Sequence, residues 1–177
     1  MKLSRIAIPA ALALIAWMPS AAALEKGEKE LTTTFSYDNI KDDDDNELTT
    51  TIINVDFGYL LTARHEIGGR LSYSKVETKV PGFIDDSTDS TELGAFYHFN
   101  FGMEGITTPF VGAFYTTISG DLGDVLDSRM GLEGGVKIYP WENGGFIIKG
   151  VWSQLSGADD NADADGLGLF AGVGIRW

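Results

Sequence analysis

The sequence predicts an all-β chain, an eight-stranded antiparallel up-and-down transmembrane β-barrel, on three observations. The stretch Gly166 to Trp177 reads G-L-G-L-F-A-G-V-G-I-R-W. It places Leu167, Leu169, Ala171, Val173, Ile175 and Trp177 on one parity and Gly166, Gly168, Phe170, Gly172, Gly174 and Arg176 on the other. A period of two is that of a strand. An outer face apolar to its last residue, with an aromatic at the rim, suits lipid better than water. Similar runs recur along the chain, separated by alternately long acidic and short connections. Finally, one face of these runs collects glycine and ionisable residues while the other carries bulky apolar groups, the reverse of a soluble barrel closed around an apolar ligand.

Ahead of the strands, Met1 to Ala23 has Lys2 and Arg5 at its head, an apolar run from Ile6 to Met18, Pro19, and small residues ending in Ala21, Ala22 and Ala23. This is the pattern of a cleaved secretory signal peptide. The run is short for a bilayer-spanning helix, and no later segment offers the roughly 20 apolar residues such a helix needs. The expected division is therefore residues 1–23 as leader and 24–177 as one barrel domain. The formal charge of −13 argues against nucleic-acid partners. With no cysteine in the chain there is no disulfide, thiol nucleophile or thiolate metal site.

In order, the expected strands begin with Glu30 to Asn39, which sets Leu31, Thr33, Phe35 and Tyr37 on one face. The second, Leu48 to Leu60, opposes Ile53, Val55, Phe57 and Tyr59 to Thr50, Ile52, Asn54, Asp56 and Gly58. The third, Glu66 to Thr78, sets Ile67, Gly69, Leu71 and Tyr73 against Glu66, Gly68, Arg70, Ser72 and Ser74. The fourth, Ser90 to Phe101, opposes Leu93, Ala95, Tyr97, Phe99 and Phe101 to Glu92, Gly94, Phe96, His98 and Asn100. In the fifth, Pro109 to Ile118, both faces are apolar. Val111, Ala113 and Tyr115 are assigned outward because Gly112 would make room inside. The sixth, Ser128 to Tyr139, opposes Met130, Leu132, Val136 and Ile138 to Arg129, Gly131, Glu133, Gly135 and Lys137. Pro140 to Gly144 reads as a tight turn. The seventh, Gly145 to Leu155, opposes Phe146, Ile148 and Trp152 to Lys149 and Ser153, and Gly166 to Trp177 completes the set.

The long connections follow the odd-numbered strands, so in an up-and-down barrel they share one end. They gather 15 of the 26 acids there: Asp42 to Asp45, Glu47, Asp85, Asp86, Asp89, Asp121, Asp124, Asp127, Asp159, Asp160, Asp163 and Asp165. Short turns at one end and long loops at the other is the bacterial outer-membrane arrangement, with chain ends on the periplasmic side. Eight strands enclose a space that side chains nearly fill.

The segments G-Y-L-L-T-A-R-H-E-I-G-G-R-L-S-Y-S (Gly58 to Ser74), E-L-G-A-F-Y-H-F (Glu92 to Phe99), T-P-F-V-G-A-F-Y (Thr108 to Tyr115) and G-V-G-I-R-W resemble the small outer-membrane β-barrel superfamily. That superfamily includes opacity-type proteins and the OmpA- and OmpX-like, porin-like barrels. The resemblance extends over nearly all of the chain after the leader. It implies an integral outer-membrane location, outer-membrane lipids and lipopolysaccharide as surroundings, and insertion by the barrel-assembly machinery. In many members the last residue is Phe, and the resemblance implies that Trp177 serves here as the assembly signal.

Three kinds of chemistry are to be weighed. The inward faces hold Asp56, Glu66, Glu92 and Glu133 against Arg70, Arg129, Lys137, Lys149 and Arg176. Charges in a narrow interior are costly unless paired, so a plugging ion-pair network is expected, with a narrow porin-like channel as the alternative. Catalysis of the lipid A-modifying kind would need a base beside a nucleophile. The two histidines do not supply it: His65 is expected in a short turn and His98 as a packed inward side chain, so no enzyme is expected. Asn161, Asp163 and Asp165, followed by Gly166, resemble the start of a calcium loop, but Gly172 stands where the closing Glu would be. No resident cofactor is expected, and loosely held Ca²⁺ or Mg²⁺ is the one metal reading. The expected role is structural or surface-interacting, with no particular extracellular ligand indicated.

Overall fold

The protein is described by a computed structural model over residues 24–41, 47–79, 86–101, 106–121, 126–157 and 164–177. Alternation of apolar and polar side chains extends the backbone into eight strands: β1 Lys29–Lys41, β2 Glu47–Leu60, β3 His65–Lys79, β4 Asp86–Asn100, β5 Thr107–Gly120, β6 Leu126–Trp141, β7 Gly144–Gly157 and β8 Ala164–Arg176. Each pairs antiparallel with its sequence neighbour, and β8 returns to β1, so the sheet closes into a barrel. Closure leaves no free edge along the paired length.

The strands run further than the alternation suggested, mostly toward the long connections. Glu47 opens β2, Asp86 and Asp89 are paired in β4, Asp127 lies within β6 and Asp165 is paired in β8, so these acids stand on the strands and not in loops. At the other end, Pro140 and Trp141 belong to β6, and only Glu142 and Asn143 make the turn. Proline cannot donate to the ladder, and the register shifts between Ile138 and Trp141 where it sits. His65 is likewise the first residue of β3, its Nδ1 2.7 Å from Tyr97 Oη and its ring edge-on to Phe99.

Outside and inside follow the expected parity. Leu167 and Leu169 are 84% and 70% exposed, and Val111 and Tyr115 of β5 are also outward. Phe110 and Phe114 of β5 are buried, together with Phe96 and Phe170. An aromatic belt surrounds the short-turn end, where Phe57 meets Trp177, Phe99 meets Phe101 and Trp141 meets Phe146. Lys29 and Trp177 exchange backbone hydrogen bonds of 3.0 and 3.1 Å, which fasten β8 to β1 at this end. Toward the other end the β1–β8 ladder is incomplete: pairing runs from Glu30/Arg176 to Phe35/Ala171 and stops, although both strands continue.

Candidate functional site

Among the described residues, the barrel interior is where the fold concentrates ionisable side chains. Five carboxylates, Glu30, Asp56, Glu66, Glu92 and Glu133, face five cations, Arg70, Arg129, Lys137, Lys149 and Arg176. Period two puts each of these on the inward parity of its strand, and the register then chooses partners. Asp56 of β2 lies directly opposite Arg70 of β3. Glu133 of β6 and His98 of β4 flank Gly112 of β5. A Cβ on Gly112 would stand 2.4 Å from His98 Cδ2, so the absent side chain is what lets imidazole and carboxylate meet.

At the centre, Arg70 makes a two-pronged contact with Asp56, Nε to Oδ1 and Nη2 to Oδ2, each at 2.7 Å. Its Nη2 also reaches Glu133 Oε1 at 2.8 Å. Lys149 Nζ joins the same two acids, 2.9 Å from Glu133 Oε2 and 3.2 Å from Asp56 Oδ2. His98 Nε2 lies 2.6 Å from Glu133 Oε1, while Nδ1 stands 3.5 Å from Glu66 Oε2. His98 thereby joins the central group to a second one nearer the short turns. There Lys137 Nζ sits 2.6 Å from Glu66 and 2.8 Å from Glu30, Asn100 donates to Glu66, and the Tyr139 hydroxyl donates to Glu30. The Arg176 guanidinium stacks over the Tyr139 ring at 4.4 Å and donates to the Glu142 carbonyl. Leu24, Leu60 and Tyr139 form an apolar floor beneath.

The expected charge network divides here. Glu92 and Arg129 form a separate pair nearer the long connections, with Arg129 Nη2 3.0 Å from Glu92 Oε1 and Thr116 donating to Glu92 Oε2 at 2.7 Å. Phe96, Phe114, Val151 and Phe170 make an apolar layer between that pair and the central group, and the Arg70 guanidinium lies over the Phe96 and Phe114 rings. Glu30, Tyr139 and His98 are members that the inventory of inward charges did not contain. Parity alone would have placed Glu30 and Tyr139, since each is two residues from an assigned inward position or opposite an assigned outward one.

Such an arrangement neutralises charge and fills space. Ion pairs this deeply buried hold together only when both partners are present and further hydrogen bonds satisfy them. His98 faces two carboxylates, Glu133 and Glu66, and an aromatic pair, Phe96 and Phe110. Among the described residues no cluster of His, Cys, Asp or Glu has the form of a metal site. Asn161 and Asp163 lie outside the described residues, and Asp165 is exposed on β8 opposite Gln154.

No family model and no curated protein matches the chain. Solved structures do. The outer membrane protein OprG from Pseudomonas aeruginosa aligns at a TM-score of 0.51 with 16% identity, over 86% of this chain and 97% of that one. The N-terminal β-barrel domain of Pseudomonas aeruginosa OprF aligns at 0.47 with 18% identity, over 86% and 98%. At such identity the likeness concerns fold alone. Closure, strand number and antiparallel order agree with the likeness to OprG: the chain has the fold of a closed, eight-stranded antiparallel outer-membrane-type β-barrel.

Proposed function

We propose that the chain is a small integral outer-membrane protein, exported by a leader of residues 1–23 that is removed, and that it acts as a closed barrel with a structural or surface-interaction role. The observation that carries this reading is the filled interior. Lys137, Lys149, Glu66, His98 and Phe110 are each no more than 2% exposed, and the ion-pair groups, the phenylalanine layer and the Leu24 floor succeed one another along the axis. A conducting path would need water along these charges. The outward band of Leu, Ile, Val and aromatic side chains supports a bilayer as the surrounding medium, with outer-membrane lipids and lipopolysaccharide as neighbours and the barrel-assembly machinery as the inserting partner.

The test is a planar-bilayer recording of refolded protein beside a known porin. The expected result is no resolved conductance step, and steady unit conductance would replace this reading with the narrow-channel alternative. No lipid A modification is expected either, so lipid A mass spectra of cells with and without the protein should coincide. The acidic long connections are assigned to loose Ca²⁺ or Mg²⁺ binding, with Asn161, Asp163 and Asp165 as one contributing stretch, because clustered carboxylates suit oxygen-seeking divalent ions. Millimolar Ca²⁺ should then slow proteolysis of the loops, and Asp163→Asn with Asp165→Asn should lessen the effect. Unchanged protection at constant ionic strength would remove the cation role.

A further inference from the structure

On the long-connection side of the phenylalanine layer lies a pocket of about 180 Å³. Ile52, Val151, Leu155 and Phe170 give it apolar walls, and Arg129 and Ser153 contribute polar groups. Arg129 is only partly committed: Nη2 contacts Glu92, while Nε is buried without an acceptor among the described residues. A buried donor left unpaired is expensive, and an anionic acceptor relieves it better than a neutral one.

The wall of this pocket is also where β1 and β8 part. Within the paired stretch, a Cβ on Gly172 would stand 1.9 Å from Thr33 O. Among the described residues, the nearest atoms at Gly168 belong to Phe170 of the same strand, and at Gly166 nothing lies within 4 Å. Gly166, Gly168 and Phe170 therefore line the pocket from a strand that has lost its β1 neighbour. Leu167 and Leu169, the outward residues of the same stretch, are the most exposed large apolar side chains described, so the unpaired stretch presents an apolar outer face. Open ladder edges are not tolerated in hydrocarbon without an occupant or a water-lined cavity beside them.

We propose that the gap is a lateral binding site for a single-chain anionic amphiphile, held with its head on Arg129 and Ser153. Its first methylenes lie among Ile52, Val151 and Phe170, and the remaining chain passes between β1 and β8 across Leu167 and Leu169. The pocket is smaller than the roughly 300–1,000 Å³ that encloses a whole small ligand, so it takes a head and a few carbons while the tail stays outside. The phenylalanine layer closes it below, so the amphiphile is retained and not passed through the barrel. Lateral access rests on the membrane reading above, and insertion is read separately from binding.

The protein is refolded into phosphatidylcholine vesicles, insertion is verified by heat-modifiable mobility, and carboxyl-labelled dodecanoate is titrated by NMR against protein-free vesicles, with dodecanol as the uncharged counterpart. Saturable binding of dodecanoate is expected, with dodecanol weaker by roughly tenfold or more for the lost charge-assisted hydrogen bonds. Arg129→Gln should weaken dodecanoate to the dodecanol level, and Arg129→Lys should retain most of it. Ser153→Phe fills the pocket without touching an ion pair and should abolish binding in a barrel that still inserts. Equal binding of acid and alcohol, binding unaltered in Ser153→Phe, or only the partitioning seen in protein-free vesicles would overturn the site.

Discussion

Lys137 carries the clearest single-residue consequence of a charged interior. Its ammonium is shared by Glu30 and Glu66, and it is 1% exposed. Removing one partner of a buried pair leaves uncompensated charge, at a cost of about 3–5 kcal/mol. Lys137→Met should therefore lower barrel stability by an amount of that order in urea unfolding from lipid vesicles, and adding Glu66→Gln should recover part of it. Recovery distinguishes charge from shape, because the double variant restores no volume. Gly112 tests the opposite sense. Gly112→Ala would push a methyl to 2.4 Å from both His98 Cδ2 and the Tyr97 carbonyl, and overpacking of this kind costs about 1–3 kcal/mol. The same unfolding assay should show that loss, and the His98 ring NMR signals should shift as the imidazole leaves Glu133.

At the scale of the strand, β8 offers two neighbouring positions with opposite surroundings. Leu169 is 70% exposed on the outer face and Phe170 is 4% exposed within the apolar layer. Leu169→Arg should cost about 2–4 kcal/mol if it lies near the bilayer midplane, falling toward an interface; the urea midpoint in vesicles reads it, and a harmless substitution would contradict lipid contact. The two halves of β8 should also differ in dynamics. From Ala171 onward the strand is bonded to β1 and fastened by Trp177 to Lys29, whereas Gly166 to Phe170 has only β7. Amide exchange should accordingly be faster at Gly166 to Phe170 than at Gly172 to Arg176, since protection follows pairing. Removing Trp177 should leave unfolded precursor in cells, because it deletes both backbone bonds to Lys29 and the ring against Phe57.

For the whole molecule, closure and filling reinforce each other. The ladder runs through eight neighbouring pairs back to its start, and ion pairs cross the interior between strands that are not neighbours, as Arg70 of β3 does to Glu133 of β6 and Lys149 of β7 to Asp56 of β2. Such cross-braces resist opening at any one seam, which favours a single cooperative unfolding step and a silent bilayer recording. The acidic end is a separate, electrostatic matter. Among the described residues Asp86, Asp89, Asp121, Asp127 and Asp165 are exposed, and charges in water repel one another only over about 8 Å at physiological ionic strength.

What the sequence determined by itself was the fold, the number of strands and the inside and outside of each. A period of two leaves side chains no other choice once one face is apolar and the other carries glycine and charge. Gly112 even settled the ambiguous fifth strand, since an inward Gly112 implies outward Val111, Ala113 and Tyr115. Strand ends were less legible, because Asp86, Asp89 and Asp127 look like loop residues until a neighbouring strand supplies ladder bonds that outweigh their poor strand propensity. Partner choice was not legible at all. That His98 joins Glu133 to Glu66, that Glu30 and Tyr139 complete the group around Lys137, and that phenylalanines isolate Glu92 with Arg129 all follow from register and tilt across the lumen. The parting of β1 from β8 is of the same kind: both strands continue the alternation past Phe35 and Ala171, and only the closed tertiary geometry decides how far two ends of one sheet remain bonded.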